Sequence, residues 1–155
     1  MRITDHVLLV EGRDDHEVIY QFCNYYGIDN QSLFSVEVGD GFDSLLKELG
    51  IRVRTEVKVL GIVIDADANL SSRWEEIKSA LAGDGYILPA SPIKGGTIIE
   101  SPNSNRPQIG IWLMPDNQEP GRNQAKQCKF DNAPALAKWG DRFHSQPYSK
   151  RGHPQ

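Results

Sequence analysis

Val57-Lys58-Val59-Leu60-Gly61-Ile62-Val63-Ile64-Asp65-Ala66-Asp67 is the stretch on which the fold turns. An apolar run of this length, rich in Val and Ile and closed by acids, reads as a strand buried on both faces. Such strands belong to parallel sheets covered by helices. Two more runs have the same form: Val7-Leu8-Leu9-Val10, ending at Glu11, and Ile109 to Met114, followed by Pro115 and Asp116. In open parallel sheets ligands bind beyond the carboxyl ends of the strands. Acids gathered there repel one another, and a bound divalent cation keeps several of them ionised. An oxygen-only ligand set favours Mg2+ or Mn2+.

Helical periodicity fills the gaps between these runs. Val18, Ile19, Phe22, Cys23 and Tyr26 form a stripe that stops at Gly27, a suitable residue just past a helix end. Ser35 to Val38 alternates as a short strand. Gly39-Asp40-Gly41 then turns the chain, and Phe42, Leu45, Leu46 and Leu49 make a second amphipathic helix closed by Gly50. After the long strand, Ser72-Arg73-Trp74-Glu75 offers a capping box for a third helix, with Trp74, Ile77 and Leu81 inward and Gly83-Asp84-Gly85 at its end. Tyr86–Leu88, Thr97–Glu100 and Ile109–Met114 read as strands, the last two joined by a hairpin loop over Ser101–Pro107. The β-α rhythm predicts a Rossmann-like three-layer α/β sandwich with a mainly parallel central sheet.

Composition sets the bounds. With 155 residues, 39% apolar and 25% charged, the chain suits one soluble domain of the usual size, and no apolar stretch approaches the ~20 residues of a membrane span. The first residues run directly into a strand without a signal-peptide pattern, so the expected location is cytoplasmic. Cys23 and Cys128 suit a reducing compartment and form no disulfide framework. Residues 1–121 carry 10 Lys and Arg against 19 Asp and Glu, a net of −9, whereas residues 122–155 carry 7 against 2, a net of +5. An acidic body argues against broad electrostatic capture of nucleic acid, yet leaves room for a local, metal-mediated contact with phosphate. Beyond Pro115 the only Ile, Leu, Val or Met is Leu136. The expected division is therefore an α/β domain over 1–121 and a basic, poorly ordered tail over 122–155, which a natural tail, a truncated domain or an altered reading frame would equally explain.

Asp65, Asp67, Asn69, Ser71 and Glu76 fall at the ligand positions of an EF-hand loop, but Leu70 stands where that loop needs Gly, and a strand rather than a helix precedes it. A phosphatase-type DxD of the haloacid-dehalogenase kind would follow the first strand, and here the motif follows the third. The clusters taken together read differently. Leu8-Leu9-Val10-Glu11-Gly12-Arg13-Asp14-Asp15 and Ile62-Val63-Ile64-Asp65-Ala66-Asp67 resemble the Toprim domain, with a Glu in a turn after the first strand and a DxD at the end of the third. The resemblance covers about residues 5–117. It is nearest to small stand-alone bacterial and archaeal Toprim-related proteins without assigned activity, which share a late element like Gly110-Ile111-Trp112-Leu113-Met114-Pro115-Asp116-Asn117, and is more distant to the nucleases of the OLD family.

The resemblance implies that Glu11 is a general acid/base or metal ligand and that Asp65 and Asp67 hold Mg2+ or Mn2+. Asp116 is a weaker further ligand, with Asn117 beside it; both residues could equally just turn the chain. A glutamate close to other carboxylates can exchange protons near neutrality, so the chemistry is consistent. Glu11 could instead be an anion held by a helix dipole, and Asp14 and Asp15 read first as acids of a helix's opening turn. Arg13 and Lys94 are the candidates for contact with substrate phosphate, Lys94 by analogy with a lysine of OLD-type nucleases. His6, His16, His144 and His153 show no zinc spacing, and no Walker-type P-loop is present. The leading expectation is metal-dependent, nuclease-like chemistry on a phosphodiester of nucleic acid or on another phosphate substrate. The rivals are a non-catalytic binding module of DNA repair or recombination and a receiver-like phosphoacceptor domain. Oligomeric state is left open.

Overall fold

The computed structural model describes residues 5–66, 69–114, 117, 118, 134, 137 and 138. Of the expected tail, only the last three therefore enter the description. Five strands form one sheet: β1 (His6–Val10), β2 (Ser35–Val38), β3 (Val59–Asp65), β4 (Thr97–Ile99) and β5 (Gln108–Met114), in the order β2-β1-β3-β5-β4. Four are parallel and β4 runs antiparallel to β5 at one edge. The helices are α1 (Arg13–Tyr25), a short α2 (Asn30–Leu33), α3 (Phe42–Arg52) and α4 (Leu70–Ala82). The fold is thus the mainly parallel three-layer α/β sandwich expected from the apolar runs.

The sheet is built outward from β3, which pairs with β1 on one side and β5 on the other. Leu60, Ile62 and Ile64 point into the core shared with α3 and α4, beside Leu45, Leu49, Trp74 and Ile77. Val63 points to the other face, where it joins Val10, Trp112 and Met114 beneath Ile19 and Cys23 of α1. Right-handed crossovers require this division, because the chain leaves β1 in one direction to form β2 and returns past it to form β3. Burial also raises the Cys23 thiol above its ordinary pKa, so it behaves as a small core residue.

Local chemistry explains where elements end. Past α1, Gly27 takes φ +65°, and the N–H groups of Ile28 and Gly27 donate to the carbonyls of Cys23 (2.8 Å) and Asn24 (3.3 Å). That is a Schellman closure, which favours glycine because a Cβ is strained there. Beyond small shifts at strand ends, with β3 starting at Val59 rather than Val57 and β4 ending at Ile99 rather than Glu100, two helix boundaries and one expected strand differ from the sequence expectation. Helix α3 does not close at Gly50 but continues to Arg52, whose guanidinium bridges Glu48 (2.9 Å) and Glu37 (2.8 Å). These contacts, with buried Val53 beyond them, offset the ~1 kcal/mol that glycine costs inside a helix. Helix α4 begins at Leu70, capped by Asn69, whose Oδ1 accepts the Ser72 N–H at 2.9 Å, so the cap lies upstream of the expected Ser72 box. Tyr86–Leu88 is not a strand: the Tyr86 hydroxyl donates to the Pro107 carbonyl at 2.7 Å, Ile87 faces solvent, and Pro89 follows without a donor for any ladder.

At the amino ends of the strands the loops are pinned by charge. The Asp84 carboxylate, nearly buried, accepts from the Arg54 guanidinium at 3.0 and 3.2 Å and from Arg106 at 3.2 Å. The hydrogen bonds from Arg54 are the main reason that its carboxyl stays below the usual Asp range. A lowered folded pKa contributes stability above the ordinary carboxylate pKa of ~3.9 that is lost as the pH falls below it. Among the described residues no helix is long and apolar enough to cross a membrane.

Two outcomes test this description. Ile62→Ala, in the fully buried centre of β3, should cost about 2–5 kcal/mol, read as a lower urea midpoint with unchanged slope. Asp84→Asn should lower the Tm at neutral pH by roughly 3–6 °C and flatten its fall between pH 5 and pH 3 relative to wild type; an unchanged acid limb would show that the arginine cluster does not stabilise the fold.

Candidate functional site at the carboxyl edge

The order β2-β1-β3 places the reversal of chain direction between β1 and β3, and open α/β sheets bind ligands at such a point. In the register, Val10 lies opposite Val63. Glu11 follows the first of these directly, and Asp65 is the last residue of β3. The two acids therefore meet, 54 positions apart in sequence, with Glu11 Oε2 accepting the Asp65 main-chain N–H at 3.3 Å. Both are half-buried.

Glu11 is held on its other flank as well. The Val10 and Glu11 carbonyls accept from the N–H groups of Gly39 (2.8 Å) and Gly41 (3.2 Å), tying the β2–α3 turn to the end of β1. Gly41 sits at φ +88°, a left-handed conformation that favours glycine. Gly12 is different: its backbone is extended, and an added Cβ would meet only Asp15 Oδ2 at 3.8 Å. Asp15 is buried and its Oδ2 accepts the Gly12 N–H at 3.1 Å, so it closes the start of α1, whereas Asp14 is exposed. Arg13, the first residue of α1, stands exposed beside Glu11.

Beyond β3, the Ala66 N–H donates to the Met114 carbonyl at 3.2 Å, carrying the β3–β5 pairing past Asp65. Asp67 and Asp116, both expected ligands, lie outside the described residues. Asn117 is described and buried, with φ +64°. Its Oδ1 accepts the Leu113 N–H (2.8 Å), its own N–H donates to the Leu113 carbonyl (2.8 Å), and its Nδ2 donates to the Lys94 carbonyl (3.3 Å). The amide thus turns the chain after β5 and clips the loop before β4 to the same edge. Through that clip Lys94 reaches the site's edge by its backbone, its side chain exposed.

One feature gave no signal in the sequence. Arg73, in α4, lies with its guanidinium carbon 3.8 Å from the ring centroid of Phe42, the first residue of α3. Its position looked like part of a cap, and only the packing of α3 against α4 brings it to Phe42. Among the described residues no group of three or more His, Cys, Asp or Glu could hold a metal ion; Glu11 and Asp65 are the two expected acids that the description brings together.

The site thus lies at the switch point of a Rossmann-like α/β sheet, where Glu11 and Asp65 meet. The chain belongs to the family described as "Protein of unknown function (DUF3226)", whose sequence model matches residues 5–122. No curated protein and no solved structure matches it.

The Asn117 clip has a direct test. Asn117→Ala should cost about 1–3 kcal/mol, the loss expected when a buried amide's partners are left unsatisfied. Hydrogen exchange should quicken at the Leu113 amide and across Ile93–Gly96; unchanged exchange there would remove the clip.

Proposed function

We propose that this protein is a Toprim-like domain that binds Mg2+ or Mn2+ at Glu11 and Asp65, with Asp67 as the adjoining ligand, and acts on a phosphodiester of nucleic acid. The observation that carries the reading is the hydrogen bond from the Asp65 N–H to Glu11, which fixes a V-E-G glutamate beside the first Asp of a DxD at the switch point. The donor set fits the metal: Mg2+ is commonly held by one or two carboxylates, its remaining positions going to water and substrate phosphate. When bound, it supplies Lewis-acid polarisation of a phosphoryl oxygen.

The residues themselves have separate tasks. Asp65, at the end of a buried strand, presents a carboxylate in a fixed position without ordering a loop. Glu11, held through its backbone by Gly41 and through its side chain by the Asp65 N–H, would in this reading take or give a proton at the attacking or leaving oxygen. The receiver-like alternative is less well supported, because receiver-type sheets run 2-1-3-4-5, whereas here β4 is the antiparallel edge strand beyond β5.

Purified protein should cleave DNA or RNA only with Mg2+ or Mn2+, and Glu11→Gln and Asp65→Asn should each lower the rate by at least ~100-fold with folding intact. Equal activity in those variants would remove the site. Saturable metal binding by calorimetry with no cleavage of either nucleic acid would instead favour the non-catalytic binding module.

A further inference from the structure

The two edges of the sheet are unlike. In β4 both Thr97 and Ile99 are buried, whereas every residue of β2 is at least partly exposed. Among the described residues no strand lies beyond β2. Val38 lies opposite Val10 in the parallel β1–β2 ladder, and the Gly39 N–H donates to the Val10 carbonyl at 2.8 Å. Main-chain groups of alternate residues face the partner strand, so Glu37 and Gly39 turn theirs to β1, and Val36 and Val38 turn theirs to the open edge. Natural edge strands are commonly guarded by charge, yet the one charged residue of β2, Glu37, is met by Arg52 of α3 at 2.8 Å. Exposed apolar side chains flank the edge: Val38 in the strand, Leu33 at the end of α2, and Ile51 beside Arg52.

These features match a second copy of the same strand. In an antiparallel pair, residues opposite one another exchange both N–H···O=C bonds at alternate positions. With a two-fold axis at Glu37, Val36 of each copy meets Val38 of the other, so the outward main-chain groups of both residues are bonded. Valine then packs on valine, on the face where Val36 adjoins the core beneath α1. On the opposite face the two Glu37 side chains come together. Alone they would repel, but the axis sets the two Glu37–Arg52 pairs head to tail, and the surface is thereby complementary to itself in charge. We propose that β2 is a self-association edge, through which two copies of this chain pair antiparallel about Glu37 into one continuous sheet. The two Glu11–Asp65 edges then face opposite ways, and the inference does not depend on what that site binds.

The experiment uses the full chain. An interface built on so short a strand is small, so sedimentation equilibrium covers about 1 to 300 μM protein. Wild type should pass from the 17.4 kDa monomer towards twice that mass. Val38→Lys should weaken association at least ~10-fold with the Tm unchanged, because Val38 is 44% exposed. Arg52→Gln should also weaken it, and adding Glu37→Gln should restore it whatever the Tm of the two variants. In a Cys128→Ser background, Glu37→Cys should give a disulfide-linked dimer on oxidation with diamide, since facing residues that are not hydrogen-bonded lie within disulfide reach. Wild type that stays monomeric, either single variant that associates like wild type, or Glu37→Cys that does not cross-link overturns the inference. In a monomer, slow amide exchange at Val36 and Val38 would overturn it in favour of another segment of this chain on the edge, and fast exchange in favour of a different protein partner.

Discussion

The parallel pairing of β1 with β3 is the constraint on which the rest depends. It sets Val10 opposite Val63, and because side chains alternate along a strand, a slip of one residue would turn Val63 and Ile62 to the wrong layers. The same register sets Glu11 and Asp65 side by side at the sheet's carboxyl edge. Core and site are therefore fixed by one set of main-chain hydrogen bonds. The strands that carry the acids are among the most deeply buried elements, and a site on such elements is held more firmly than one assembled from loops.

The two ends of the sheet handle carboxylates differently. At the amino end, Asp84 meets two arginines, and charge is neutralised where the α3–β3, α4–β4 and β4–β5 connections converge. At the carboxyl end, Glu11 and Asp15 accept main-chain N–H groups. The first arrangement is an ion-pair cluster that serves stability, and in the second these hydrogen bonds fix the side chains to the backbone.

Much of the architecture was legible because burial on both faces leaves a direct imprint on composition. β1, β3 and β5 appear as runs of Val, Ile and Leu, α1 as a stripe ending at Gly27, and β2 as a short alternation. The misread elements are those in which a distant contact outweighs a local signal. Gly50 looks like a helix end until Arg52 bridges Glu37 and Glu48. Tyr86–Leu88 has strand-like residues, yet the Tyr86 hydroxyl is bound to Pro107 in another connection. Within the site, the strand-end acids could be read from spacing. The contacts of Asn117 and Arg73 could not, since each depends on a partner brought close by folding: the Lys94 loop for one and the Phe42 ring for the other.

By itself the sequence determined the class of fold, because an apolar run long enough for a strand and lacking polar alternation is stable only between two helical layers. It also determined that acids stand at the ends of three such runs. The tertiary structure decided which of the described acids meet: strand order is a property of the closed sheet, and only the reversal between β1 and β3 brings Glu11 to the Asp65 N–H across 54 residues. It likewise decided that Arg73 lies over the Phe42 ring, since a side chain's neighbours across helices are set by packing and leave no periodic trace along the chain.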